Sequence, residues 1–300
     1  MLKVRVPATT ANIGSGFDCL GLALNLYNTL KVEVSERTAI RVFGEGEREL
    51  SPSTDNLVYQ SMLRTYQELN ITPPPLQLKM TNEIPLARGL GSSAAAIVAG
   101  IVAANHLTGQ NIPRERLLDL AIEVEGHPDN VTPALLGGLV ISAPKGDRSG
   151  YHCLKLTPPP ELEAVVCIPD FHVATEDARR ALPGQVPYAD AVFNIGRVSL
   201  LLGAMVSKRW DLLSTAMEDK LHQPYRKHLV PGLDQVFSQA MEAGALGVAL
   251  SGSGPTIAAL VNQNAAAVGK AMEGAFKKAK IKSRSIVLGL NGRGAEILEK

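Results

Sequence analysis

Cysteine is scarce in this chain and badly spaced for cross-linking. Cys19, Cys153 and Cys167 are odd in number and form no C-x-x-C pair, which argues against a disulfide or zinc framework and for a reducing compartment. Excess charge is missing too: 30 Lys and Arg against 29 Asp and Glu leave a net charge of +1. Nothing favours a nucleic-acid or membrane-surface partner, so any basic groups that matter act locally. The longest apolar run, Ala94 to Ala104, is too short to cross a bilayer and reads as a buried helix. Met1 to Pro7 alternates apolar and basic residues without an apolar h-region, so it reads as a strand and not a signal peptide. A cytoplasmic protein is expected. Also absent are a G-x-S-x-G elbow and any metal-ligand spacing among the histidines. His106, His152, His172, His222 and His228 are therefore read as structural.

What is present is organised around one stretch. Pro85, Leu86, Ala87, Arg88, Gly89, Leu90, Gly91, Ser92 and Ser93 lead directly into the helix-compatible run from Ala94. The two glycines allow a tight turn and let the backbone approach a ligand with no Cβ in the way. A glycine loop feeding a helix N-terminus offers unpaired N–H groups and the positive end of the helix dipole, which together make a phosphate site. The hydroxyls of Ser92 and Ser93 are placed to reach a metal ion carried with the phosphates. The plainer reading is an N-cap serine after a turn. No lysine precedes either serine, so the loop is not a P-loop. It lies some 85 residues into the chain, with Gln110 and Asn111 where a dinucleotide-binding domain needs an acid, which excludes that fold.

Hydrophobic periodicity and turn residues divide the chain into 1–156 and 157–300, with the boundary at the knot Thr157-Pro-Pro-Pro160. The first part predicts strands over 2–6, 76–80 and 138–142, a strand or hairpin over 21–34, and a polar glycine-bearing loop between. Its helices are expected over 55–69, 94–104 and 113–125, with a short one after His127. The second part predicts strands over 163–168, 247–250, 256–261 and 285–288, and a short helix ending at Leu182. Further helices are expected over about 187–206, 210–221, 232–243 and 265–279, followed by a frayed tail. This mixture makes the class α+β with two domains.

Glu125, His127, Asp129 and Asn130 lie within six residues just after a helix. A carboxylate beside a phosphate loop is a natural Mg²⁺ ligand, because Mg²⁺ takes oxygen from one or two carboxylates plus substrate phosphates. The bland alternative is a helix-ending Glu-Gly and a solvated turn. Arg179 and Arg226 would grip a carboxylate if they converged; spacing alone makes them ordinary surface arginines.

Three widely spaced stretches together resemble the GHMP kinases: Pro7 to Asp18, Leu86 to Ala95, and Ala249 to Pro255. Four more resemble the homoserine-kinase branch: Gly16-Phe-Asp-Cys-Leu-Gly21, His127 to Pro133, Thr175-Glu-Asp-Ala-Arg179 with Leu182-Pro183, and Pro224 to Pro231. The resemblance covers nearly the whole chain. It implies an N-terminal domain like the second domain of ribosomal protein S5 and a ferredoxin-like C-terminal domain. It also implies ATP and Mg²⁺ as cofactors, L-homoserine as substrate, a step toward threonine, and a homodimer.

Carried over residue by residue, the resemblance puts Asn12 and Asp18 at the amino-acid substrate, with Asp18 suited to its ammonium. His127 falls in the substrate pocket, and Arg179 and Arg226 fall at the α-carboxylate. Asn130 comes to the reacting hydroxyl, with Thr175 nearby. Ser93 and Glu125 match the Mg²⁺ ligands, and Asn56 falls near the adenine. The segment from Glu125 to His127 is shorter than in some homoserine kinases, which leaves Glu123 as the alternative metal ligand. Relatives of the mevalonate-kinase type hold an aspartate where this chain has Asn130. The rivals are a GHMP kinase for another small alcohol, such as mevalonate or shikimate, and a catalytically silent nucleotide-binding regulator.

Overall fold

The computed structural model describes residues 1–147 and 149–299. Its first sheet is built on β1 (Leu2–Ala11) and β2 (Leu20–Val34), paired antiparallel. Leu2, Val4 and Val6 are buried while Lys3 and Arg5 are half-buried between them, the alternation of a strand with one apolar face. The stretch 21–34 is one long strand rather than a hairpin. Its register against β1 slips after Pro7, which faces Tyr27 while Ala8 faces Leu24. A proline has no N–H for a ladder, and a bulge is where a sheet tolerates one.

β3 (Ala39–Gly44), which the sequence reading passes over, lies parallel to β4 (Leu76–Asn82) at one edge, and β4 pairs with the outer half of β2. Four helices pack together over this sheet: α1 (Leu57–Glu68), α2 (Ser92–Leu107), α3 (Arg114–Glu125) and α4 (Pro128–Leu136). α2 is the central one, with nine buried residues and no charged face. Gly100 lets α1 close on it, since a Cβ there would meet the carbonyl of Val58. β5 (Leu139–Pro144) pairs with the inner half of β2, and β6 (Tyr151–Leu156), also unforeseen, pairs with β5.

The second sheet contains β7 (Glu163–Pro169), β8 (Gly247–Leu250), β9 (Ile257–Val261) and β10 (Ser283–Gly289), all antiparallel in the order β10-β7-β9-β8. Between β7 and β8 run α5 (Thr175–Arg180), α6 (Tyr188–Ser207), α7 (Leu213–Ala216), α8 (Gln223–Arg226) and α9 (Leu233–Glu242), and α10 (Ala265–Lys278) joins β9 to β10. This β-α-β-β-α-β path with the first and last strands adjacent is the ferredoxin-like arrangement. The expected helix over 210–221 is not continuous. It stops after α7 because the Asp219 carboxylate accepts bonds from the N–H groups of Leu221, His222 and Gln223, drawing the chain into a turn.

The two sheets share a core: apolar residues of β1, β2 and α2 are continuous with Leu162, Ala164 and Val166 and with Leu201 and Ala204 of α6. A second cluster lies under α9 and α10 around Val236, Met272 and Phe276.

The expectation of a frayed tail is corrected. β11 (Glu296–Glu299) returns to the first sheet and pairs antiparallel with β1, fixed by Arg5–Glu296 at 2.7 Å and Lys3–Glu299 at 3.3 Å. Four residues carry too weak an alternation to be read as a strand, and only the open edge of β1 orders them. Removing residues 296–300 uncovers that edge, so the melting temperature is expected to fall by several degrees with helical circular dichroism kept. An unchanged melting temperature would mean that the strand contributes nothing.

Candidate active site

Three loops meet at the centre of the molecule. The glycine loop lies between the ends of β1 and β4 and the Ser251–Gly254 turn of the second sheet. Ala87, Gly89 and Gly91 have φ of 49°, 75° and 70°, the left-handed region that glycine adopts without strain. A Cβ on Gly89 would strike the carbonyl of Ser251, and one on Gly91 would strike Oγ1 of Thr9. The glycines are thus required by the packing of protein against protein, and not only by clearance for a ligand. The Ser251 hydroxyl lies 2.6 Å from the Gly89 carbonyl and 2.8 Å from Thr10 Oγ1. Since a carbonyl only accepts, Ser251 donates to Gly89 and receives from Thr10. Gly252 N–H bonds to the Ala11 carbonyl at 3.1 Å, and Asn12 Nδ2 donates to the Gly252 carbonyl at 2.9 Å.

At the mouth of α2 the first helical bond runs from Ala95 N–H to the Gly91 carbonyl. The N–H groups of Ser92, Ser93 and Ala94 therefore have no partner within the helix. Ser92 Oγ turns back to the Ile84 carbonyl, but Ser93 Oγ donates to Glu125 Oε2 at 2.7 Å. Glu125 ends α3, and the left-handed Gly126 at φ 88° turns the chain away after it. Burial pushes the Glu125 carboxyl above the ordinary carboxylate range, against the pull of the Ser93 bond and of His127. Glu123 points elsewhere, bound to Arg64 and Arg116 at 2.7 Å each on the outer surface. Of the two candidate metal ligands, Glu125 is the one beside the loop.

α4 begins at this point. His127 Nδ1 lies 2.7 Å from Asp129 Oδ1, and its Nε2 lies 3.9 Å from Glu125. Burial alone would lower the His127 pKa, but the Asp129 bond and the flanking carboxylates outweigh it, so it is raised. Asn130 Oδ1 accepts from the Thr9 hydroxyl at 2.8 Å.

On the far side stand the groups suited to a zwitterion. Asp18 and Arg179 pair through two parallel bonds of 3.1 Å each, and Asn12 Oδ1 accepts from Asp18 N–H. Arg226 is 3% exposed. Its Nε donates to the Ala178 carbonyl and its Nη1 to the Gly252 carbonyl, with His222 Nδ1 at 3.3 Å. His222 Nε2 lies 2.7 Å from the Gly14 carbonyl. A carbonyl only accepts and a guanidinium only donates, so the bonds require neutral His222 with its proton on Nε2. Burial, which pushes its pKa down, agrees. Phe17 stacks on His222 and lies under Arg226.

Asn12, Asp18, Gly89 to Ser93, Glu125, His127, Asn130, Thr175, Arg179 and Arg226 thus line one cleft of about 100 Å³. Pro85, Ala87 and Arg88 edge it, whereas Leu86 faces a neighbouring cavity of about 410 Å³, where Asp170 lies 3.9 Å from the Arg88 guanidinium. Asn56 is not among the lining residues. It is buried, capping α1 through Val58 N–H and donating to the Ser51 carbonyl. Thr9 is a neutral hydroxyl flanked by uncharged residues, so nothing in the sequence marks it as part of the site. His222, expected to be structural, is buried and spends both ring nitrogens on Gly14 and Arg226.

Comparison with known proteins matches residues 56–138 to the N-terminal domain model of the GHMP kinases and residues 201–278 to their C-terminal model. A homoserine kinase from Carboxydothermus hydrogenoformans is 49% identical over 98% of this chain and 96% of its own length. One from Moorella thermoacetica is 48% identical over 99% of this chain and all of its own. The crystal structure of homoserine kinase from Cytophaga hutchinsonii superposes with a TM-score of 0.89 at 35% identity, covering 99% of this chain and 97% of that one. A mevalonate kinase structure shares the fold, with a TM-score of 0.71 at 15% identity over 98% of this chain and all of that one.

Two glycines separate packing from backbone strain. Gly91→Ala puts a methyl into Thr9 and beside Asn130, whereas Gly126→Ala, also at positive φ, meets open space. Gly126→Ala is expected to lose about 1–2 kcal/mol of stability from the left-handed backbone alone. Gly91→Ala is expected to lose more and also to weaken a non-hydrolysable ATP analogue in calorimetric titration. Equal losses in the two variants would show that the Thr9 contact has no weight.

Proposed function

The chain belongs to the GHMP kinases, and from that membership and the charges of the cleft we propose that it is an ATP-dependent homoserine kinase. It converts L-homoserine and ATP into O-phospho-L-homoserine and ADP, a step toward threonine. The observation that carries the substrate is the bidentate Asp18–Arg179 pair beside buried Arg226. An α-amino acid brings the complementary charges on one carbon. Its carboxylate replaces Asp18 on Arg179 and reaches buried Arg226, and its ammonium takes Asp18, so every charge is paired. Mevalonate has a carboxylate and no ammonium, and would strand Asp18.

In this reading the N–H groups around Gly89 to Ser93 cradle the triphosphate, with Pro85 to Arg88 and Leu90 shaping the loop. Asn56 contributes through the start of α1 that it caps. Ser93 and Glu125 offer two hard oxygens 2.7 Å apart, a donor set that suits Mg²⁺ completed by phosphate oxygens. No group of three or more metal-binding side chains occurs among the described residues. The ion, when bound, neutralises charge on the phosphates. The homoserine hydroxyl oxygen bonds to the γ-phosphorus as the bond to ADP breaks, and its proton passes to an oxygen of the transferred phosphoryl group. Asn130 has its carbonyl oxygen occupied by Thr9, so its Nδ2–H is free to hold that hydroxyl. His127 and Thr175 line the pocket beside it. An amide is no base, and phosphoryl transfer through a loose transition state needs mainly positioning and charge neutralisation. A cytoplasmic homodimer, with 1–156 on the nucleotide side and 157–300 supplying the arginines, completes the proposal.

ADP release with homoserine, mevalonate and shikimate offered in parallel is expected only with homoserine; release with either other alcohol alone overturns the assignment. Each charge-assisted bond to the carboxylate contributes roughly 1.5–3 kcal/mol, about one to two factors of ten in affinity. Arg179→Lys, Arg226→Lys and Asp18→Asn are accordingly expected to raise the KM for homoserine at least tenfold and leave that for ATP little changed. An unchanged homoserine KM in the arginine variants would remove the clamp.

Glu125 yields a prediction of opposite sign for stability and turnover. Its folded-state pKa is raised, so its contribution to stability is full below the unfolded value and is lost as pH rises through the folded one. At neutral pH the ionised carboxylate is therefore a burden on the ligand-free fold. Glu125→Gln is expected to raise the melting temperature at pH 7 while abolishing most turnover. Glu123→Gln, which breaks the Arg64–Arg116 network, is expected to lower it slightly and keep turnover. A reversal of the two would transfer the metal role to Glu123.

A further inference from the structure

The amino-acid end of the cleft is divided between the two halves of the chain. Asn12 and Asp18 belong to the loop after β1, whereas Arg226 ends α8 and His222 stands just before it. His222 Nε2–H donates to the Gly14 carbonyl at 2.7 Å, and its Nδ1 accepts from Arg226 Nη1 at 3.3 Å. That Nη1 also donates to the Gly252 carbonyl at 3.2 Å, which takes a second bond from Asn12 Nδ2 at 2.9 Å. The bonds thus close a circuit from Arg226 through His222 and Gly14 to Asn12 and Gly252, and back to Arg226. Phe17, next to Asp18, stacks on His222 at 5.1 Å, and the Arg226 guanidinium lies 5.2 Å from the centre of its ring.

The loop has other ties to the second half. Ser15 Oγ donates to the Ala216 carbonyl, and Asn194 Nδ2 donates to the Ser15 carbonyl. Neither tie touches a residue that meets the substrate, whereas His222 touches Arg226. His222 is fully buried, as is Asp219, whose Oδ2 lies 3.5 Å from Nε2. Asp219 holds the turn on its own, through the N–H groups of Leu221, His222 and Gln223. An apolar side chain would fill this space without burying an N–H and a lone pair. What a neutral imidazole adds is a donor on one edge and an acceptor on the other, fixed in one rigid ring.

We propose that His222 is a positioning residue for the amino-acid substrate, fixing the span between Arg226, which takes the carboxylate, and the Asn12–Asp18 loop, which takes the ammonium. The inference rests on the homoserine reading of the cleft and adds to it the part that sets the distance. In the ligand-free cleft Asp18 and Arg179 are paired across the seam, and the substrate divides that pair. The circuit through His222 involves neither of them, so it still holds the two sides when the site is filled. An α-amino acid carries both charges on one carbon, and a fixed span accepts that spacing and rejects a wider one. Without His222, Arg226 keeps its bond to the Ala178 carbonyl, so losing the strut shifts the guanidinium without releasing it.

Glutamine sets an amide nitrogen near the position of Nε2 and leaves that of Nδ1 empty, while asparagine sets its carbonyl oxygen near Nδ1 and leaves Nε2 empty. His222→Gln therefore keeps the Gly14 bond and frees Arg226, and His222→Asn does the reverse. Each is expected to raise the KM for homoserine about tenfold, with kcat within about threefold of wild type and the KM for ATP unchanged. Added to Arg226→Lys, His222→Gln is expected to cost less than about twofold more, because it acts through Arg226; added to Asp18→Asn, its loss multiplies. Circular dichroism and the melting temperature report the fold of each variant. An unchanged homoserine KM in both variants, matching rises for homoserine and ATP, or full multiplication with Arg226→Lys makes His222 a packing residue and overturns the role. So does a failure of both variants to fold. Should Arg226→Lys alone leave the homoserine KM untouched, or the wild type not phosphorylate homoserine, the clamp itself fails and takes this inference with it.

Discussion

The contact on which the molecule depends is made of close-packed backbone and a few short polar side chains. Gly89 lies against Ser251, Gly252 against Ala11, and the Ser251 hydroxyl bridges Thr10 and Gly89. Three segments from different parts of the chain approach closely because two of them lack a Cβ at the points of contact. The gain is positional. The helix end of α2 and the turn before β9 are held by bonds between rigid groups, so little side-chain freedom needs to be fixed when a ligand arrives. A pair of domains joined only by apolar packing could slide; bonds of 2.6–3.1 Å between carbonyls, amides and two hydroxyls resist it.

From that contact the charged groups of the cleft take their places in layers. Nearest the helix end is Glu125, a carboxylate kept at the surface of the loop by Ser93 and pushed toward neutrality by burial. Farthest from it, Asp18 and Arg179 neutralise one another. Behind them, Arg226 is anchored by carbonyls and by a neutral His222 that also ties down Gly14. A buried guanidinium without an acid beside it is costly, and its unspent donors are what a ligand carboxylate can satisfy. The ligand-free cleft therefore keeps one charge paired internally and leaves the others to be completed from outside.

Much of this was legible in the sequence, for identifiable reasons. The long strands, the buried α2 and the glycine loop declare themselves through periodicity and through glycines at turns, and the motif residues Glu125, Asp18, Arg179 and Arg226 do converge. What could not be read is what depends on a neighbour. β3 and β6 are edge strands whose weak alternation gains meaning only beside β4 and β5, and β11 exists because β1 has an open edge 290 residues earlier in the chain. The break after α7 follows from one carboxylate that prefers three N–H groups to a continued helix. Asn56 shows the opposite limit. The resemblance brings it to the adenine, yet its amide is occupied in capping a helix.

The path from Gly91 to Asn130 ties the fold most directly to the chemistry proposed. The absence of a Cβ at Gly91 lets Thr9 Oγ1 stand against the loop, and from there the hydroxyl donates to Asn130 Oδ1. An isolated asparagine amide can flip and present either its oxygen or its nitrogen to a substrate. Here the Thr9 hydroxyl donates to the amide oxygen, an orientation that leaves Nδ2–H unspent. That nitrogen can donate to an alcohol oxygen but cannot remove its proton. On the proposed reading, then, the same backbone conformation that opens a helix end to phosphate also orients the amide that holds the alcohol. On that reading one constraint places both reactants, and phosphoryl transfer calls on how rigidly it holds more than on the strength of a base.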